Sequence, residues 1–193
     1  MAHIIFLTGY PGAGKTTAVK SLLSKSKHIK TWLRTDTPFA NHPFRGTPKN
    51  HEMGSLWDFN GEHFIAAGCH RLDVTNKLGA EIFVSMSKYE VIEWLCQQAN
   101  TVIWDHFNVG PQMLKRLSHH KLTYIHLNTP MDVAMQQRDA RRDSNHHSAK
   151  CAADLQKMYD QTDNNYSKVN GLATRISTEM PVRTIIKLLK PEQ

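Results

Sequence analysis

Cysteine is scarce and scattered in this chain. Cys69, Cys96 and Cys151 make an odd set with no metal-ligand spacing. Neither a disulfide framework nor a thiolate metal site is expected, and a reducing cytoplasm is the simple reading. Long apolar runs are missing as well. None approaches the roughly 20 residues of a membrane span, so no membrane partner is expected. The N-terminus goes directly into an apolar strand pattern, so no signal peptide is expected ahead of it. Acidic residues are in deficit, with 17 Asp and Glu against 24 Lys and Arg and a formal net charge of +7. That surplus favours polyanionic partners, while ordinary solubility and phosphate-binding arginines account for it equally well. Internal repeats and domain linkers are lacking, and 193 residues suit one domain, residues 1–193, with a substantial core.

What is present begins at once. Ile4, Ile5, Phe6 and Leu7 form an apolar run suited to a strand buried on both faces. Gly9 to Thr16 fits G-x-x-x-x-G-K-[ST], and Val19, Leu22 and Leu23 follow with helical spacing. Strand, glycine loop and helix together are the context this motif requires. Gly9, Gly12 and Gly14 allow positive φ, so that successive N–H groups, with those of Ala13 and Thr17, turn into one concavity. The helix N-terminus adds its dipole. Lys15 would reach the β- and γ-phosphates of a nucleotide, and the Thr16 hydroxyl would ligate Mg²⁺.

Twelve histidines raise the question of a metal centre. His119-His120 and His146-His147 are adjacent pairs in polar stretches, and "HEMGSLW" lacks the second histidine of H-E-x-x-H. Solvated histidines are expected instead of a zinc site. When protonated, several could contact phosphate and make substrate binding depend on pH.

Downstream, strands are expected at 30–34, 101–104, 122–127 and 174–177, and helices at 61–76, 87–98, 111–117, 131–142, through 158, and 181–189. Residues 37–64 are dense in Pro, Gly, Asn, His and aromatics. They read as a long irregular excursion on the substrate side. Alternating strands and helices imply a three-layer α/β/α fold on a five-stranded parallel sheet.

Three constellations lie near the ends of expected strands, where open α/β sheets bind ligands. Asp36, in "RTD", is placed to accept a proton from an attacking hydroxyl or orient it, with a turn or N-cap aspartate as the plainer reading. Asp105, in "TVIWDHFN", follows an apolar strand and could hold Mg²⁺ directly or through water. Asn108 could contact substrate or bond a backbone turn, and the sequence leaves both open. Arg138, Arg141 and Arg142 share one helical face before the polar patch "RRDSNHHSAK". They look like a lid, about 138–150, that brings guanidinium groups to phosphate, with a solvated basic face as the alternative. Trp57, Phe59 and Phe64, among Arg45, Lys49 and histidines, could stack on a base beside a phosphate backbone or could close the core edge.

These pieces resemble the P-loop kinases, in particular the polynucleotide-kinase-like group. The matching residues are "GYPGAGKTT", Asp36, "VIWDHFN" and "QQRDARR". The resemblance implies an ATP- and Mg²⁺-dependent kinase. Lys15 and Thr16 would bind nucleotide and metal, Asp36 would be the general base, and Arg138 or Arg141/Arg142 would engage phosphates. Where polynucleotide kinases often carry an arginine three residues after the catalytic aspartate, this chain has Phe39. In that respect, and in size and charge, it looks like the bacteriophage DNA kinases that phosphorylate 5-hydroxymethyluracil within DNA, which would work in a host cytoplasm. The expected acceptor is a hydroxyl on nucleic acid, DNA above RNA, with Arg45, Trp57 and Asn108 on the substrate. The alternatives are a 5′-hydroxyl polynucleotide kinase, a kinase of a free nucleoside, nucleotide or small metabolite, and a hydrolase or nucleotide-gated binding module.

Overall fold

The computed structural model describes residues 1–41, 51–68, 70, 88–106, 109–139 and 152–190. Among these residues seven strands form one sheet: β1 (His3–Thr8), β2 (Lys27–Leu33), β3 (Glu52–Phe59), β4 (Glu62–Ala67), β5 (Thr101–Asp105), β6 (Lys121–Leu127) and β7 (Thr174–Thr178). The helices are α1 (Lys15–Leu23), α2 (Lys88–Cys96), α3 (Pro111–Arg116), α4 (Met131–Asp139), α5 (Ala152–Lys168) and α6 (Pro181–Leu189). Among the described residues no helix is long and apolar enough to cross a membrane.

The sheet order is β2-β3-β4-β5-β1-β6-β7. β1 runs parallel to β5 and β6, β4 parallel to β5, and β7 parallel to β6. Alternation along β1 explains why helices cover both faces. Ile4 and Phe6 pack with Val102, Trp104 and the α2 residues Val91, Ile92 and Leu95. Ile5 and Leu7 point the other way, onto Val19, Leu22 and Leu23 of α1 and Ile185 and Leu189 of α6. The result is an α/β/α arrangement with β1 central and wholly buried from Ile4 to Thr8.

The expected five-stranded parallel sheet needs correction. A five-stranded parallel block exists, but its outer member on one side is β4, not the strand expected at 30–34. That segment is the edge strand β2, which pairs antiparallel with β3, as β3 does with β4. The excursion at 37–64 therefore contains most of a β-hairpin, and the helix expected from Gly61 begins as a strand. The cause is the two-residue turn Asn60-Gly61, with φ of 56° and 89°, the paired left-handed conformation that a tight hairpin demands and that Asn-Gly supplies. Phe64 to Ala67 are fully buried. A continuous apolar run of that length fits a helix or a covered strand equally, and here the turn decides.

Strand direction carries function to one edge. β1, β4, β5 and β6 all end on the same side, with Leu7 beside Asp105 and Thr8 beside His126. The glycine loop leaves from that edge.

Candidate active site

The glycine loop is shaped by its backbone. Gly9, Gly12 and Gly14 have φ of 133°, 96° and 90°. At Gly9 even a methyl group would meet the Leu127 Cβ at 3.1 Å, so the loop is pressed against the end of β6. Gly14 caps α1 in a left-handed conformation and brings no side chain of its own to the first-turn amides, the helix end at which anions bind. Lys15 is 7% exposed. Its ammonium donates to the carbonyls of Gly9 (3.0 Å) and Tyr10 (2.8 Å), a position from which it can swing to phosphate.

Beside the loop, the Thr16 hydroxyl donates to Asp105 Oδ2 at 2.9 Å. Asp105 ends β5 and is 2% exposed. Its other oxygen, Oδ1, lies 3.2 Å from His70 Nε2, itself 3% exposed. That approach is close but not an aligned hydrogen bond, and neither His70 ring nitrogen makes one among the described residues. A buried polar group left so costs about 1–3 kcal/mol, which marks His70 as a residue needing a reason. The donors gathered here are a hydroxyl and a carboxylate, the hard oxygen ligands that suit Mg²⁺. With the loop amides and Lys15 they fit a magnesium–nucleotide complex.

On the β6 side His126 is 8% exposed, stacked on Tyr166 at 4.4 Å and edge-on to Tyr10 at 6.2 Å. Burial, then Lys15, lowers its pKa against an opposing pull from Asp163. Helix α5 leans on the loop here. Tyr10 donates to Asp163 Oδ1 at 2.8 Å and meets Tyr159 edge-on at 5.0 Å. Burial, and after it Asp163, pushes the Tyr10 phenol up to about 12, so it stays a donor.

A cleft of about 370 Å³ opens where Ala13, Gly14 and Thr17 face Leu127, Thr129 and Thr178, a volume within the range of small-ligand sites. A larger groove of about 580 Å³ runs along α6, rimmed by Lys25, Arg183, Lys187 and Lys190. It includes no loop residue. The smaller cleft is the better candidate because it touches the loop.

Other expected site residues fall elsewhere. Asp36 lies in a single 3₁₀ turn just beyond β2, exposed, with the Thr35 hydroxyl 3.2 Å from Oδ1. It shares the sheet edge with the loop, but β2 is four positions from β1, about 19 Å at ordinary strand spacing. The expectation that it adjoins the loop is corrected: the β3–β4 hairpin stands between. Trp57 is corrected too. It pairs with Phe64 and His28, near the hairpin turn at the opposite end of the sheet, and its indole donates to Ser55 at 2.7 Å. It packs against the core on the α1 face. Phe39 lies edge-on to Trp94 at 6.0 Å and covers α2, which accounts for an apolar residue there. Arg45, Asn108, Arg141 and Arg142 lie outside the described residues, as does the side chain of Arg138, whose backbone lies in the last turn of α4. The lid at 138–150 lies almost wholly outside them.

The expectation of solvated histidines is corrected at three positions. His70, His106 and His126 are all buried at strand ends on the loop side, and His106 Nε2 is 3.2 Å from the ammonium of Lys88. The signal was present: each follows an apolar run, in "FIAAGCH", "VIWDH" and "TYIH".

Among the described residues, one group brings three ligand atoms within 4.8 Å of one another: Glu93, His119 and His120. It sits at the opposite sheet edge. The Ala2 amide donates to His120 Nδ1 at 3.2 Å, which puts the ring proton of the neutral imidazole on Nε2, facing Glu93 Oε2 at 3.2 Å. That tautomer has no lone pair to offer a cation there.

No protein-family model matches the sequence, and no curated protein does. Among solved structures, the chain is similar to an unliganded sugar kinase from Janibacter sp., with 15% identity and a TM-score of 0.48 over 98% of this chain and 94% of that one. A likeness at that level says nothing of substrate.

Proposed function

We propose that this chain is an ATP-dependent kinase that transfers a γ-phosphoryl group to a hydroxyl. The observation that carries the reading is the 2.9 Å hydrogen bond from Thr16 to Asp105, set beside Lys15 at the mouth of a left-handed glycine loop. A buried ammonium, a hydroxyl and a carboxylate at one helix N-terminus are the parts that phosphoryl transfer needs.

In this reading the loop amides hold the phosphate oxygens, and Lys15 leaves the Gly9 and Tyr10 carbonyls for the β- and γ-phosphates. Thr16 and Asp105 would hold Mg²⁺, which when bound offsets phosphate charge. The cleft by Ala13, Gly14 and Thr17 takes the nucleoside. Arg138, Arg141 and Arg142, whose side chains lie outside the described residues, would supply the charge that neutralises the moving group. Asp36, just beyond the edge strand β2, is not assigned the reacting proton in this reading. Positioning and electrostatics therefore supply the rate, as a loose transition state permits.

For the acceptor we propose a hydroxyl on nucleic acid, with the hydroxymethyl group of 5-hydroxymethyluracil in DNA as the favoured case. The net charge of +7 supports a polyanionic substrate, and Phe39, committed to covering α2, supports an acceptor recognised without an end-binding arginine at that position. The test is transfer of labelled γ-phosphate to a panel of 5′-hydroxyl DNA, DNA containing 5-hydroxymethyluracil, RNA, nucleosides and small hydroxylated metabolites. Label that survives exonuclease trimming of the ends is the expected result. Label confined to ends restores the 5′-hydroxyl polynucleotide kinase. Label on small molecules alone overturns the nucleic-acid reading.

A further inference from the structure

We infer that His70 is a positioning residue that holds the Asp105 carboxylate in the orientation needed to receive a metal–nucleotide complex. The inference rests on the proposed function and extends it to a residue outside the loop and its strand. Three chain segments meet at this carboxylate. Thr16 of α1 takes Oδ2 at 2.9 Å, and His70, two residues past Gly68, faces Oδ1 at 3.2 Å. The Gly68 amide donates to Met53 O at 2.9 Å, which ties the backbone just ahead of His70 to β3. Asp105 is thus bonded from the α1 side by a hydroxyl and approached from the β4 side by an imidazole.

The chemistry of the contact favours this role over filling space. His70 is nearly inaccessible, yet neither ring nitrogen has an aligned hydrogen-bond partner among the described residues. A side chain that only filled the volume would do so better as leucine or methionine. The polar contact recorded for it among the described residues is with a carboxylate oxygen of the residue proposed to meet the metal. Partners of this kind set the direction of a ligating carboxylate, and contacts that are poorly aligned in a free protein tighten in the complex.

The experiment compares His70→Gln, His70→Asn and His70→Ala. A glutamine amide nitrogen falls near the place of Nε2, whereas the shorter asparagine falls near that of Nδ1. Binding of a fluorescent ATP analogue is titrated with Mg²⁺, and thermal unfolding is followed separately. The Mg²⁺ concentration for half-maximal binding should rise about 10- to 100-fold in His70→Asn and His70→Ala. His70→Gln should recover most of that loss, and metal-free nucleotide binding should stay level. If His70→Ala does not fold, the Gln and Asn pair decides alone. A lowered melting temperature with an unmoved Mg²⁺ requirement overturns the inference and leaves the kinase reading standing. Equal behaviour of Gln and Asn overturns it too. A wild-type protein that binds no nucleotide at any Mg²⁺ concentration overturns both.

Discussion

Two histidine–carboxylate groupings stand at opposite edges of one sheet. At the loop edge, Asp105 is 2% exposed between Thr16 and His70. At the other, Glu93 is about a quarter exposed between His120 and the half-exposed His119, whose Nε2 is 2.9 Å from Oε1. The residue types match and the distances are alike. What differs is the surroundings. Glu93 faces an imidazole whose tautomer the Ala2 amide already dictates, so His120 has no lone pair to turn toward a cation there. Asp105 borders a glycine loop of left-handed backbone and a lysine bonded to its own loop carbonyls. A cluster of ligating side chains becomes a candidate site when backbone and charge around it still have capacity for a ligand.

Substitutions can break that contrast. The largest effect is expected for Lys15→Ala, which should lower phosphoryl transfer by about 10²–10³-fold or more, the usual cost of losing a preorganised donor. Glu93→Gln, assayed in parallel, should leave transfer unchanged. Next comes Asp36→Asn. Its distance across the sheet implies a loss of no more than about tenfold, below the 10²–10⁴ typical of a general base. Abolition of transfer with intact nucleotide binding would show that Asp36 reaches the reacting hydroxyl after all.

Smaller effects fall on the fold. Gly61→Ala should lower stability by about 1 kcal/mol, because its φ of 89° suits no side chain. A urea midpoint reads this, and nucleotide affinity should not move. The least effect concerns pH. Burial, then Lys121, holds the His3 imidazole down to about 4 from 6.5. The unfolded chain takes up that proton first, so stability present above about pH 6.5 is lost as pH falls toward 4. His3→Gln should flatten that part of the curve, as urea midpoints at neutral and acidic pH would show.

Legibility followed the same contrast. The loop, β1, α1 and Asp105 were readable because a fixed glycine spacing and an apolar flank admit one local structure. The helices at Lys88–Cys96 and Pro181–Leu189 were readable from period and from proline at a first turn. The β3–β4 hairpin is less legible, although Asn60-Gly61 between Trp57, Phe59 and Phe64 is a turn signal, because the surrounding polar residues also fit an irregular loop. Missing it displaced the rest. Without the hairpin, β2 would sit nearer the loop, Asp36 would adjoin the phosphates and Trp57 would be free to stack on a base. The meeting of His70 with Asp105 was illegible for another reason. Its neighbourhood is made by three segments far apart in sequence, and no local spacing encodes that meeting.

The most direct measurement is a calorimetric titration of the protein with Mg²⁺ and ATP, repeated for Lys15→Ala and Glu93→Gln. One binding site should appear in the wild type, vanish or weaken steeply in Lys15→Ala, and persist unchanged in Glu93→Gln. Binding that survives loss of Lys15, or that depends on Glu93, would place the nucleotide away from the loop and contradict the reading of that edge as the active one.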